Sequence, residues 1–309
     1  MSIGKVQINN LNLMQGEISA VENHLLFVGP GKGDKVGKLL TVNTDSDLSG
    51  VLAGADGLLA QVTAARDNGG QNWSASVMLY DAEGGGIASW SAAVDEAMEL
   101  ARVEGVALTE PLSAVSDVEA MQTKSERIMA RYMRPVWFAG RAPAFDADSQ
   151  SWEEYATAIK PLTANVAADA CLVTPTIWGP ELGTLMGRLC NAAVTVADSP
   201  MRVATGALVG SWTERPVDKS GRRLDMSVLE GLDKARFSVP QWYPDYEGMY
   251  WADGNVLDVN GGDFQVIENV RVIMKAMRRV YPLAVARIAD RRFNSTPASI
   301  AQNKTYFMR

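Results

Sequence analysis

Histidine and cysteine are scarce in this 309-residue chain: one His, His24, and two Cys, Cys171 and Cys190. A Ser-His-Asp or Cys-His arrangement needs an imidazole base. The single candidate sits in His24-Leu25-Leu26-Phe27-Val28, an apolar run that reads as a strand, so a strand-edge or core histidine is expected there. Zinc sites draw on closely spaced Cys and His. The two cysteines lie 19 positions apart with no C-x-x-C, and their apolar neighbours suggest buried free thiols of a reducing compartment. The first residues, Met-Ser-Ile-Gly-Lys-Val-Gln-Ile, lack the apolar centre of a secretory signal. No stretch approaches the ~20 apolar residues of a membrane span. Positive charge is not in excess either. The formal net charge is -7, which argues against nucleic acid as the main partner. Repeats of solenoid spacing and low-complexity tracts are also missing.

What the chain does have is core material. Hydrophobic residues make up 47% and charged residues 21%, an ordinary balance for a globular protein with one large domain or two smaller ones. Its chemistry-bearing motifs fail in detail. Gly29-Pro30-Gly31-Lys32-Gly33-Asp34-Lys35 follows a strand, but no Ser or Thr follows either lysine, and the next element looks like another strand. Neither the P-loop nor the dinucleotide fingerprint is satisfied, so a surface turn is expected. The acidic pairs Asp95-Glu96 and Glu153-Glu154 are neighbours in sequence, and adjacent helical residues do not face a common point. Asp45-Ser46-Asp47 reads as a helix cap and Asp253-Gly254-Asn255 as a turn. No catalytic residue, metal site or cofactor site is expected.

Periodicity predicts an alternation of strands and helices. Strands are expected at 24–28, 38–42, 73–80, 105–108, 135–140 and 170–174. Helices are expected at 48–62 with a break near Gly54–Gly57, and at 91–102, 118–132, 152–168 and 182–193, with Pro161 disturbing the fourth. The fold class is α/β (α+β): a mixed, partly parallel sheet flanked by helices. After Pro200 the pattern changes to a possible strand at 203–209, a short helix at 229–235, an aromatic hairpin at 237–252 and a long helix at 264–281, with helical character to about 291. Four segments follow: residues 1–22 as an N-terminal arm, 23–200 as an α/β body, 201–293 as a C-terminal domain, and 294–309 as a second arm with strand potential.

Charge is segregated. Between Asp81 and Ala120 nine residues are acidic and one, Arg102, is basic. Between Arg271 and Arg292 seven are basic (Arg271, Lys275, Arg278, Arg279, Arg287, Arg291, Arg292) and one, Asp290, is acidic. Solvated helix faces, an intramolecular match, or head-to-tail association between copies would each account for this. Extended ends can fray or can add as strands to a neighbour's sheet edge. Lys5-Val6-Gln7-Ile8 and Thr305-Tyr306-Phe307-Met308 carry the apolar or aromatic centres that strand addition needs.

The C-terminal third runs Gln241-Trp242-Tyr243-Pro244, Gly248-Met249-Tyr250-Trp251-Ala252-Asp253-Gly254, Gly261-Gly262-Asp263-Phe264, then Ile267-Glu268-Asn269-Val270-Arg271 opening a long helix. This order resembles the contractile tail sheath proteins of bacteriophages, most closely a short sheath-like group of phage proteins. The resemblance implies a structural, non-enzymatic subunit of the virion tail, assembled in the host cytoplasm. It implies that copies stack as rings around a tail tube and contract to drive the tube through the host envelope. Implied partners are other copies of the chain, the tube protein, and baseplate and tail terminator proteins. The resemblance also implies that Lys5, Val6, Gln7 and Ile8, with Thr305, Tyr306, Phe307 and Met308, form inter-subunit arms for strand exchange. Arg271, Lys275, Arg278 and Arg279 would form a basic helix facing the tube or a neighbour. Another tail or baseplate component, and an α/β enzyme of unknown activity, are the alternatives.

Overall fold

In a computed structural model, residues 21–81, 83, 85–212, 214–290 and 294–308 are described. They fall into two compact units: Val21–Arg278, and a second unit whose described residues are 279–290 and 294–308.

The first unit is organised by strand β1 (Leu25–Gly31). Leu25 and Phe27 enter one hydrophobic cluster, Leu26 and Val28 another, and all four are buried. A strand covered on both faces belongs inside a sheet with helices on either side. The elements that follow are β2 (Leu39–Asn43), α1 (Leu48–Val51), α2 (Asp56–Gly69), β3 (Ser74–Asp81), α3 (Ile87–Leu100), β4 (Gly105–Pro111), α4 (Val115–Tyr132), β5 (Trp137–Ala144), α5 (Trp152–Ile159), β6 (Ala168–Thr176), α6 (Glu181–Leu189), α7 (Met226–Lys234), β7 (Pro240–Tyr243), β8 (Tyr246–Trp251), β9 (Val256–Leu257) and α8 (Ile267–Val285). Seven strands form one sheet in the order β2-β3-β1-β4-β5-β6-β9. The five central strands are parallel, and β2 and β9 pair antiparallel at the edges. Helices α3, α4, α5 and α7 cover one face through Trp90, Val94, Val118, Ile128, Trp152, Tyr155 and Leu229. The other face is covered by α2, α6 and the start of α8, through Leu58, Val62, Leu182, Met186, Ile267 and Val270. The expected α/β class and partly parallel sheet are therefore present.

Two glycines let α6 approach α2. A Cβ at Gly183 or Gly187 would run into the backbone carbonyls of Gln61 and Ala65. The buried Gln61 side chain ties the same helices, accepting from Gly183 N at 2.7 Å and donating to Gly179 O at 2.8 Å. Local signals set several boundaries. Ser151 and Glu154 form a reciprocal cap at the start of α5. That helix gives way at Pro161 to a tight turn, Lys160–Leu162. Within Asp45-Ser46-Asp47, Asp47 is the residue that caps α1.

Four expectations need correction. Gly29-Pro30-Gly31 is not yet a turn, because parallel pairing with β3 continues to Gly31↔Asp81. Residues 203–209 form no strand. The Arg188 guanidinium takes the carbonyls of Pro200, Arg202 and Gly206 at 2.6, 2.9 and 2.9 Å, and holds the chain in an irregular loop around it. The change of patterning at 200/201 does not separate two cores, since β9 pairs with β6 in the main sheet and α7 packs on the same face as α5. Last, the C-terminal segment expected to be an extended arm is helical. In the second unit, α9 (Pro297–Phe307) starts at Thr296, whose side chain accepts from Ser299 N, with Pro297 in the first turn. These are strong local helix-start signals, and they act without any partner strand. The Arg287 guanidinium lies 4.0 Å over the Tyr306 ring in this unit.

Substituting Gly183→Ala should force α2 and α6 apart. The expected loss is about 1–3 kcal/mol of stability, as for other overpacked cores, read from the midpoint of urea unfolding.

Candidate assembly surfaces

Strands this thoroughly covered leave function to the surface and to the chain ends. Helix α8 presents three different faces because its residues advance by about 100° each. The inner face carries Ile267, Val270, Arg271 and Met274, all buried.

Arg271 is 1% exposed and Glu104, at the base of β4, is 0% exposed. The guanidinium donates to both Glu104 oxygens, Nε to Oε1 at 2.7 Å and Nη2 to Oε2 at 2.9 Å. It also donates to the carbonyl of Leu189 at the end of α6 at 2.9 Å, and to Asn23 Oδ1 at 3.0 Å. Asn23 N returns a bond to Glu104 Oε2 at 2.7 Å. Burial by itself would raise the Glu104 carboxyl. The Arg271 charge, the Arg271 hydrogen bonds and the Asn23 amide outweigh it, and the net position is below the ordinary value. One ion pair thus joins the entry of the chain into β1, the start of β4, the end of α6 and the first turns of α8.

Arg271 is consequently not a tube- or neighbour-facing residue: it is in the core. Arg278 is also committed, its side chain 13% exposed and bonded to Glu22 at 3.3 Å and to the Pro135 carbonyl at 3.2 Å. Of the four basic residues expected to face outward on this helix, Lys275 is half-buried and Arg279 is exposed. The intramolecular match of acidic and basic segments is realised at Arg271 and Glu104. Sequence pattern missed the position because Glu104 stands in the short link between α3 and β4 and carries no sign of burial. The arms fare differently. Lys5, Val6, Gln7 and Ile8 lie outside the described residues, as do Arg291 and Arg292. Thr305, Tyr306 and Phe307 belong to α9, Met308 follows it, and Thr305 and Met308 are exposed.

The remaining flank of α8 faces α4. Between them lies an open apolar groove of about 480 Å³. Met129, Ile273, Met274 and Met277 line it, as do Glu126 and Asp169, whose carboxylates both accept from Gln122 Nε2.

The residues considered for catalysis have structural partners. His24 lies between Ser74 Oγ at 3.1 Å and Ser76 Oγ at 2.9 Å on the adjoining strand, and burial pushes its imidazole below the ordinary value. Both thiols are buried and their pKa values pushed up by burial. Asp95 pairs with Lys124, Glu153 with Arg222 and Glu154 with Lys219. At the carboxyl ends of β1 and β4, where open α/β sheets take ligands, Thr109 and Leu58 pack against Gly29 and Leu79 against Gly31. Among the described residues no group of His, Cys, Asp and Glu could hold a metal ion, and no helix is long and apolar enough to cross a membrane.

Replacing Arg271 with Met leaves Glu104 buried without its partner. It should cost about 3–5 kcal/mol, and the pair Glu104→Leu/Arg271→Met should regain most of that, both read by denaturant unfolding. The depressed Glu104 carboxyl gives the pair a pH dependence. Its contribution is fully present above the ordinary glutamate value of 4.5 and is lost as pH falls through the lower folded value. Acid unfolding of the wild-type chain should therefore show a loss below pH 4.5 that the double variant lacks.

Two family profiles cover nearly the whole chain: "DUF2586, N-terminal domain" over residues 3–255 and "DUF2586, C-terminal domain" over residues 263–309. A protein of Haemophilus phage HP1 named "Putative tail sheath protein" is 42% identical over 308 residues, spanning 98% of this chain and 81% of that protein. Among solved structures, the sheath of an extracellular contractile injection system (PVC) in its contracted state shares the fold with a TM-score of 0.61 and 12% identity, over 99% of this chain and 80% of that one. The contracted helical sheath of the anti-feeding prophage gives 0.57 and 14%, over 100% and 82%. A crystallised sheath tail protein of Desulfitobacterium hafniense gives 0.51 and 10%, over 93% and 83%. At such identities the likeness concerns the fold. The chain belongs to the DUF2586 family.

Proposed function

We propose that the protein is the subunit of a contractile phage tail sheath. Copies stack as rings around a tail tube and contract to drive the tube through the host envelope. The observation that carries this reading is the identity of 42% to a tail sheath relative across 98% of the chain. The fold shared with contracted sheath subunits supports it.

The physical design suits mechanical work. Contraction requires bodies that stay rigid while their mutual contacts change between two arrangements. A sheet sandwiched between helices supplies the rigid body. The Arg271–Glu104 pair locks the first and last parts of that body together, so load carried by the ends reaches the sheet without loosening it. Lys275 and Arg279 are the outward-facing cations of α8, and they form the contact with an acidic tube or an acidic neighbouring subunit. The N-terminal residues Lys5, Val6, Gln7 and Ile8 act as a strand donated to another copy. The role is structural and not enzymatic. Its partners are further copies, the tube, the baseplate and the tail terminator, and its place is the virion tail after assembly in the host cytoplasm.

Negative-stain electron microscopy of the purified chain tests the proposal. Rings or hollow tubes are expected. A monodisperse monomer at all concentrations, with or without tube protein, would refute it. Lys275→Glu/Arg279→Glu should leave the circular dichroism spectrum unchanged while weakening assembly, and should reduce its dependence on salt.

A further inference from the structure

We infer that Glu22 and Arg278 form a breakable clasp that couples the N-terminal end of the body to the exposed flank of α8. The inference rests on the sheath reading, which supplies the two contacts that are coupled. The body runs from Val21 to Arg278, so this pair joins its second residue to its last. Arg278 Nη2 lies 3.3 Å from Glu22 Oε1, and Nη1 donates at 3.2 Å to the carbonyl of Pro135, just before β5. Among the described residues Arg278 Nε meets no acceptor. Arg271 and Arg278 are seven positions apart, so they share one face of α8, about 10 Å from each other along its axis. Two consecutive residues meet them: Asn23 Oδ1 accepts from Arg271, and Glu22 accepts from Arg278. Asn23 has a left-handed backbone with φ 67°, and His24 N closes the turn onto Val21 O at 3.2 Å. This turn sends adjacent side chains to arginines two helical turns apart.

The two arginines are held with different strength. Arg271 is buried and makes four bonds between 2.7 and 3.0 Å. The Arg278 bonds are longer, and both clasp side chains are 13% exposed. Solvent can take the place of Glu22 at Arg278, and an ion pair open to that exchange is worth little. Glu104 has no such substitute for Arg271. The clasp therefore opens while the buried pair stays shut, a local opening of the kind found at the low-energy end of protein motion. Opening is felt on both sides. A contact made by Lys5, Val6, Gln7 and Ile8 bears on Glu22 through the chain that joins them. Lys275 lies on the turn before Arg278, and Arg279 follows it in sequence. Loss of the pair thus loosens the stretch of helix that carries the outward cations. Such coupling is reciprocal: whatever the N-terminal contact does to α8, a contact on α8 does to the N-terminal segment. In a sheath the two contacts would then change together.

The test uses the full-length, unassembled chain with Glu22→Gln or Arg278→Met, and hydrogen exchange read by mass spectrometry over residues 21–24 and 274–278. Each variant should speed exchange about three- to fivefold in both segments, the scale of a solvent-accessible ion pair, and leave β4 unchanged. Acceleration confined to the segment that carries the substitution overturns the inference. A thermal melt lowered as far by Glu22→Gln as by Arg271→Met overturns it too, because the pair would then be a second permanent lock. Glu22→Gln keeps every residue of the two proposed contacts, so its critical concentration for assembly reads the coupling alone and should rise about three- to fivefold. An unchanged value under conditions where the wild type assembles overturns the coupling and leaves the sheath reading intact. A wild type that never assembles removes the sheath reading itself, and the exchange result still decides the clasp.

Discussion

The buried pair of Arg271 and Glu104 governs how this chain can be used. A guanidinium and a carboxylate taken fully out of water are stabilising only when every donor and acceptor is met. Here the Leu189 carbonyl and Asn23 Oδ1 accept from the guanidinium, and the Asn23 amide donates to the carboxylate. Each of those partners comes from a different part of the chain. The start of β1, the start of β4, the end of α6 and the first turns of α8 must therefore all be in place together. A pair with such demands tolerates no partial assembly, and it stands where the N-terminal segment enters the body and the last body helix begins.

That placement separates two mechanical roles. Inside, the sheet and its two helical layers are packed closely enough that α6 can approach the α2 backbone only at glycines, Gly183 and Gly187. Outside, α8 keeps surfaces that its own body does not satisfy: Lys275 and Arg279 on one flank, Ile273 and Met277 on the other. A subunit that changes partners under load needs this division, because contacts that are to be remade must be weaker than the body that carries them. Lys275 and Arg279, the described cations of α8 proposed for contact with a neighbour or the tube, lie outside the latch and the core clusters.

Much of the body was legible from sequence because its signals are local. The apolar run Leu25 to Val28, the break at Gly54–Gly57 and the Pro161 stop each act within a few residues. The errors share a cause. Residues 203–209 have strand-like composition, but the Arg188 side chain at the end of α6 takes the carbonyl of Gly206 together with those of Pro200 and Arg202 just before the segment. Gly29-Pro30-Gly31 looks like a turn until β3 is placed beside it. Tyr306 and Phe307 suggested a strand, and the cap at Thr296 outweighed their β propensity.

By itself the sequence determined the fold class and the order of elements in the α/β body. Composition and short-range periodicity carry that information directly. The tertiary structure alone decided which charges are buried and which are free. Arg271 and Arg279 belong to the same helix and look alike in sequence, yet one meets Glu104 in the core and the other meets solvent. A charge's fate depends on what lies across from it, and that neighbour can be 167 residues away.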